Sequence, residues 1–438
     1  MTASRNILVL GAAGLIGRFI TDDLRVRGFQ VTGVARKFAA QGASPLDVQL
    51  PIMTMDATSL AHVLRERAAD VVVNCLGVLQ DGPGSNTRAV HCDFVRRLLE
   101  AIKASGRDIR LIQISIPGAA NDDRTAFSAT KREAEQMIAA SGVRYAILRP
   151  GFVVAPAAFG GSAMVRAFAA LPFALPMTEA ARPFQPVAAE DIAATIAWLA
   201  ERNRDDPAAN AASWDVMQTQ PVTLGEVIEA FRRSFGTSDW PRLRLPSFLL
   251  DLGVKLGDLV SWLGWQSPMR STAIAELRRG VRGDPSAWIG ATGITPTELA
   301  RAVRRLSTVQ DKWFARLYLI KALIIASLVV FWSVSGCIAL FVSYDAAAGI
   351  LSSHHFPTAL VAPVTILTSL MDISIGVLIA VRRTCALGLI CGILASLGYM
   401  LSAAILTPDL WIEPLGALVK TGPAIVLMLV ALATLDNR

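Results

Sequence analysis

The last quarter of the chain constrains its fold more than any other feature. Beyond Arg316, residues 317–342, 358–381, 385–406 and 415–435 are long apolar stretches with few charges. About 20 such residues in a helix cross a hydrocarbon core of about 30 Å. Within lipid, backbone N–H and C=O groups must be satisfied inside each segment, which a helix does. The sequence therefore predicts a four-helix transmembrane bundle over 317–438.

Charge placement orients this bundle. The loop between the second and third spans carries Arg382 and Arg383, whereas loops 343–357 and 407–414 contain no Lys or Arg. The positive-inside rule then puts both termini in the cytosol, as in a multi-pass protein of a bacterial-type inner membrane. The apolar stretch 7–10 runs straight into Gly11, Gly14 and Gly17, which is not the pattern of a secretory signal. Two ionisable residues fall within the spans, Asp372 near mid-depth and Lys420 in the fourth. Charges at such depth mark a partner, a proton path or a ligand site. Lys420 is expected to reach toward Asp372, with snorkelling to the surface as the alternative.

The net charge of +7 lies in one region. Residues 231–316 hold 14 Lys/Arg against 7 Asp/Glu, while the flanking regions balance. This basic juxtamembrane region suits an anionic leaflet, although a solvated basic face would look the same. Within it, residues 246–265 carry apolar positions at helical spacing and two Trp. That segment reads either as a helix packed on the preceding domain or as one lying in the membrane interface. No aromatic-interleaved basic motif points to nucleic acid. The five cysteines form no CxxC pair and read as reduced thiols; the four histidines have no metal-ligand spacing, so no metal is expected.

The first 230 residues alternate apolar strands with helices, the pattern of an α/β doubly wound parallel sheet. The strand Asn6–Leu10 turns through Gly11, Gly14 and Gly17 into a helix starting near Leu15. Glycines let a pyrophosphate approach closely, and N–H groups at Leu15, Ile16 and Gly17 lie at the positive end of the helix dipole. The second strand, 30–35, ends at Arg36 and Lys37. A carboxylate there would bind the ribose hydroxyl of NAD; two cations, with Arg18 nearby, suit the 2′-phosphate of NADP(H), with NAD(H) the alternative. Further strands are expected at 52–55, 70–75, 109–115 and 143–148, with helices near 59–67, 89–104 and 125–140. Asp56, Asn74, Cys75, Leu76, Gly77 and Ser115 then fall at the carboxyl ends of strands, where such sheets bind ligands.

Several segments together carry a resemblance: GAAGLIGR (11–18), NCLG (74–77), QIS (113–115), ATKREAE (129–135), LRPG (148–151) and QPVAAEDIA (185–193). On them, residues 1–305 or so resemble an extended or atypical short-chain dehydrogenase/reductase. Within that family they resemble the group that includes the nucleotide-binding accessory subunit of respiratory complex I. The resemblance implies a Rossmann fold, an adenine contact at Asp56, and Asn74, Cys75, Leu76, Gly77, Lys131 and Pro150 beside the cofactor. The membrane region resembles a DoxX-like family, on its pattern and on the run from Asp372 to Gly376.

In that dehydrogenase family a Tyr four residues before a Lys transfers the substrate proton, and a Ser at the preceding strand end orients the substrate oxygen. Ser115 and Lys131 match those positions, but residue 127 is Phe. A phenyl ring has no proton to give, and general acid–base catalysis contributes roughly a hundred- to ten-thousand-fold. Ser128 points about 100° away on the helix, and His91 carries no pattern of its own. The Ala-, Pro- and Phe-rich stretch after Gly151, with Phe159, Met164, Phe168, Phe173 and Phe184, would line a pocket for a hydrophobic ligand or else pack as core. The expected function is a membrane-anchored NADP(H)-binding oxidoreductase acting on a hydrophobic small molecule or quinone-like partner. The alternative is a catalytically silent nucleotide-binding subunit that scaffolds a membrane protein complex in contact with lipid.

Overall fold

A computed structural model of the chain describes residues 5–38, 44–82, 85–203, 206–354, 356–412, 416 and 418–435. The run Asn6–Leu10 forms β1, almost wholly buried, and leads through the glycine turn into α1 (Leu15–Val26). β2 (Gln30–Ala35), β3 (Val48–Gln49), α2 (Ala57–Glu66) and β4 (Val71–Asn74) follow. Then come α3 (Phe94–Ala104), β5 (Arg110–Ile114), α4 (Ala126–Ala139) and β6 (Tyr145–Pro150). α5 (Gly161–Ala170), α6 (Ala189–Glu201) and β7 (Ala212–Val216) complete the layered core. The sheet runs β7-β6-β5-β4-β1-β2-β3, parallel throughout. Its order reverses between β1 and β4, and the crevice at such a switch point is where these sheets take ligands.

Buried apolar residues fall on both faces of the sheet. Ile20 and Leu24 of α1 pack one face with Ile192 and Ile196 of α6. Leu60 and Leu64 of α2 pack the other with Leu98 and Ile102 of α3. The doubly wound expectation holds, with local corrections. Residues 52–55 form no strand; Pro51 lacks an N–H and its carbonyl instead accepts from Thr54 N at 2.9 Å, making a turn. The helix expected from residue 89 opens with a π-helical turn, Ala89–Asp93.

Beyond the sheet lie α7 (Leu224–Phe235), α8 (Ser247–Trp262), α9 (Ser271–Arg279), α10 (Ser286–Thr292) and α11 (Leu299–Arg304). Phe168, Phe184, Phe231 and Val303 share one core with the half-buried Met164 and Phe173. The aromatic residues expected to line a hydrophobic pocket are thus mostly packed as core, because α7 and α11 close over them; Phe159 is exposed. The chain divides into two compact units, residues 1–258 with 268–315, and residues 259–267 with 316–438.

The second unit holds α12 (Val309–Cys337, extended by a π-helical turn Ile338–Val342), α13 (Tyr344–Ser353), α14 (Thr358–Ala380), α15 (Cys385–Leu406) and α16 (Thr421–Leu435). α12, α14 and α15 are long and apolar enough to cross a membrane. The fourth span is a correction. α16 has 15 residues, about 22 Å at 1.5 Å per residue, short of a core of about 30 Å. Gly416 and Leu418–Lys420 form a turn before it, and Leu415 lies outside the described residues. Lys420 is consequently exposed ahead of the helix rather than within it. Asp372 takes a hydrogen bond from the Tyr399 hydroxyl at 2.7 Å, and no ion pair joins it to Lys420 among the described residues. Cations instead gather where α14 and α16 end: Arg382 donates to the Leu435 carbonyl at 2.8 Å and Lys321 to that of Thr434. Such placement satisfies orphan helix carbonyls and suits the dipole.

Candidate functional site

The glycine turn is tight for steric reasons. Gly11 has φ 82°, and a Cβ there would press on Leu76 and the Cys75 backbone at 3.1–3.2 Å. At Gly17 a Cβ would fall on the carbonyl of Gly11, so only glycine lets α1 start this close to β1. Gly14 is the N-cap and has no side chain to occupy the first N–H groups of α1. Arg18 is exposed on that first turn, and Arg36 and Lys37 are exposed just past β2. Asp56 caps α2, accepting from Ser59 N at 2.8 Å, and that bond holds its carboxyl below the usual range.

At the end of β4, buried Asn74 is locked by its amide donating to Gln113 at 2.8 Å and by accepting from Leu76 N at 3.2 Å. The chain then passes Cys75, Leu76 and Gly77 across the carboxyl edge of the sheet. Lys131, buried on α4, donates to the carbonyls of Ile114 at 3.0 Å and Leu76 at 3.2 Å. A Cβ at Gly77 would stand 3.5 Å from Lys131 Nζ and 3.8 Å from His91 Nε2, so these groups border one space. Burial depresses the Lys131 pKa from 10.5 to about 8, against the pull of Cys75 and Glu135. Burial likewise pushes the Cys75 thiol up to about 12, opposed by Lys131.

His91 is fixed in one tautomer. Its Nε2 accepts from Val78 N at 3.2 Å, so the proton sits on Nδ1, which lies 2.8 Å from the Thr130 hydroxyl. Burial, and then the Lys131 charge, lower its pKa to about 3. Phe127 lies one turn before Lys131 on α4, its ring edge-on to His91 at 5.6 Å between centroids. Ser128 is occupied in the capping box with Thr125 at the start of α4. Pro150 closes β6, beside β7.

Ser115 follows β5. Its buried hydroxyl makes no well-formed hydrogen bond, yet it lies near Glu135 and helps to lower that carboxyl's pKa. Burial alone would raise Glu135; hydrogen bonds from Arg149 at 3.0 and 2.6 Å and the charges of Arg149 and Arg132 outweigh it. Arg132 continues to Asp123 at 3.0 Å, and Arg279 of α9 reaches the same carboxylate at 2.6 Å. Sequence reasoning did not single out this ion-pair network. Glu135 and Arg149 sit inside quoted motifs, but nothing linear links them to Asp123 and Arg279. The structure brings Ser115, Lys131, Cys75, Leu76 and Gly77 together at the mouth of β4 and β5. Asp372 and Lys420 belong to the other unit.

A glycine turn and crevice at the switch point of a parallel sheet are the marks of a Rossmann-type fold. Comparison with known proteins agrees. Residues 11–170 match the NAD(P)H-binding family and residues 329–429 the DoxX-like family. A dTDP-6-deoxy-L-talose 4-dehydrogenase (NAD(P)(+)) of Kitasatospora kifunensis is 29% identical over 113 residues, 26% of this chain; the match spans 36% of that relative's length. The NAD+ complex of the Bordetella bronchiseptica enzyme WbmH superposes with TM-score 0.52 at 16% identity, covering 70% of this chain and 98% of that one. A UDP-glucose 4-epimerase of Thermotoga maritima gives 0.51 at 14%, covering 72% and 99%. At such identities the structures show the fold. The chain thus joins a Rossmann-type fold, matched over 11–170 by the NAD(P)H-binding family, to a C-terminal region matched by the DoxX-like family, in which three helices are long and apolar enough to cross a membrane.

Proposed function

We propose that the protein is a membrane-anchored NADP(H)-dependent oxidoreductase acting on a hydrophobic or quinone-like partner. The observation that carries this reading is Lys131, buried with a depressed pKa beside Gly77 at the edge of the sheet. A buried group whose pKa is shifted at the edge of such a sheet is a candidate for a functional site. The turn at Gly11 and Gly17 is packed too tightly against backbone for any Cβ, which lets the start of α1 approach the sheet edge, and the N–H groups of Leu15 and Ile16 there suit a pyrophosphate. Arg36 and Lys37, exposed past β2, would receive the 2′-phosphate, with Arg18 adding charge. Asp56, exposed where it caps α2, would face the adenine, and Asn74, Cys75, Leu76 and Gly77 would flank the cofactor. A nicotinamide held here would supply or take up a hydride. Lys131 would hold its ribose, Pro150 would border the ring, and the Ser115 hydroxyl would orient the acceptor oxygen.

Phe127 shapes the choice of acceptor. Neither it nor His91, neutral and hydrogen-bonded through both ring nitrogens, provides a proton. A quinone-like acceptor suits this site because, after hydride addition, its oxygen takes the balancing proton from water. The second reading, a catalytically silent nucleotide-binding subunit of a membrane complex, is favoured by the same Phe127. Purified full-length protein in detergent, titrated with NADPH and NADH and then mixed with a water-soluble quinone, separates the two. NADPH binding with oxidation supports the enzyme; binding without oxidation supports the silent subunit; no binding of either nucleotide refutes both.

A further inference from the structure

We infer that α8 is an in-plane membrane helix whose outward stripe lies among the lipid headgroups and upper acyl chains. The inference begins with which faces of the helix are covered. Leu250, Gly257 and Ser261 are buried, with Gly253 and Val254 half-buried on the same side. Gly253 is close-packed, since a Cβ there would meet Met269 at 2.9 Å. A helix covered on that side in water should be polar on the other. Here the outward side is apolar as well. Phe248 is 65% exposed, Leu252 49%, Leu256 50% and Leu259 62%, and Leu249 and Leu263 extend the same stripe. Contiguous exposed apolar surface of this kind marks an interaction site.

Two observations say what covers it. First, the chain immediately after α8 is bound to the charged end of the membrane-spanning helices. The Leu263 carbonyl accepts from Arg382 N at 2.9 Å, and Trp265 Nε1 donates to the Ala380 carbonyl at 2.7 Å. Arg382 lies over the Trp265 ring at 5.6 Å. That point is where α14 ends and where Arg382 and Arg383 gather, so the end of α8 is held at the depth of a membrane surface. Second, the charges suit anionic headgroups. The helix acids are engaged, Asp251 by Arg278 at 3.1 Å and Asp258 by Arg270 at 3.4 Å. Lys255 stands exposed beside the stripe, with Arg244 exposed just upstream and Arg242 paired with Glu229 at 3.1 Å. Trp262, 83% exposed, flanks the stripe as interfacial aromatics do. An apolar face with basic flanks is the design of helices that sit in the headgroup boundary, immersed by about 5–10 Å.

The test uses full-length protein in nanodiscs of phosphatidylglycerol and phosphatidylcholine. Nitroxide labels replace Leu256 (L256C), Leu259 (L259C) and, as polar-flank control, Asp251 (D251C), each in a background whose native cysteines are alanine and which still binds NADPH. The expected result is greater accessibility to oxygen than to a water-soluble nickel chelate at 256 and 259, with the order reversed at 251. High nickel access at 256 and 259 would overturn the inference in favour of a solvated face. Low access to both reagents would overturn it in favour of a face covered by protein. Should the cysteine-free background not fold, tryptophan quenching by phosphatidylcholine brominated high on its acyl chains is read on otherwise native protein. Trp262→Phe should then remove a quenched component, and an unchanged quenched fraction would overturn the inference.

Discussion

Replacing Lys131 by Met should make the folded protein slightly more stable near neutral pH while damaging its cofactor site. The folded-state pKa of about 8, against an ordinary 10.5, means that folding opposes protonation of this amine. At 1.36 kcal/mol per unit, the charged amine costs the folded state about 3 kcal/mol at pH 7. Because the folded pKa is the lower one, this cost is complete below about pH 8 and is relieved as pH rises toward the unfolded value. Methionine fills similar volume and removes the cost. It also gives up the bonds to the Ile114 and Leu76 carbonyls, worth about 1 kcal/mol each. The net gain is therefore about 1 kcal/mol at pH 7, or a rise of about 1–3 °C in melting midpoint for a unit this size. By about pH 9.5 the wild-type amine has recovered about 2 kcal/mol, and the variant should be the less stable by about 1 kcal/mol. The assay is thermal unfolding of full-length protein in detergent at both pH values and one scan rate, with NADPH affinity measured alongside. A variant less stable at both pH values, by the same margin, would refute the reasoning, because it would show that Lys131 is not held against its charge.

Three other perturbations address the site. Arg36→Asp should weaken NADPH by about tenfold or more, the worth of one charge-assisted contact, and NADH far less; equal losses by calorimetry would remove Arg36 from the phosphate site. Phe127→Tyr puts a hydroxyl one turn before Lys131. Carbonyl reduction with NADPH should then rise at least about a hundredfold, and no change would mean that residue 127 does not face the reacting atoms. Gly17→Val drives side-chain atoms into the Gly11 carbonyl and should abolish binding of both nucleotides; retained affinity would place the pyrophosphate elsewhere.

The parts of this protein that were legible in its sequence are those whose chemistry is local. Gly11 and Gly17 announce the turn because the clash a Cβ would cause involves backbone only a few residues away. Ser115 and Lys131 share the end of β5 because one follows that strand and the other lies on the next helix, where its amine reaches the Ile114 carbonyl. The network joining Glu135 and Arg149 to Asp123 and Arg279 was not legible, since Arg279 arrives from a helix more than 150 residues along the chain. Local charge also hides burial: Glu135 and Arg149 look like surface residues until their partners are known. The fourth apolar stretch misled for a related reason. Hydropathy counts residues, whereas a helix needs backbone that continues the turn, and here Gly416, at φ 57°, belongs to a separate turn that leaves Lys420 ahead of α16. The segment around α8 was open between two readings because periodicity shows that a helix is apolar but not which side is covered. Only the burial of Leu250 and Gly257 opposite the exposed Leu252, Leu256 and Leu259 separates a packing face from an outward one.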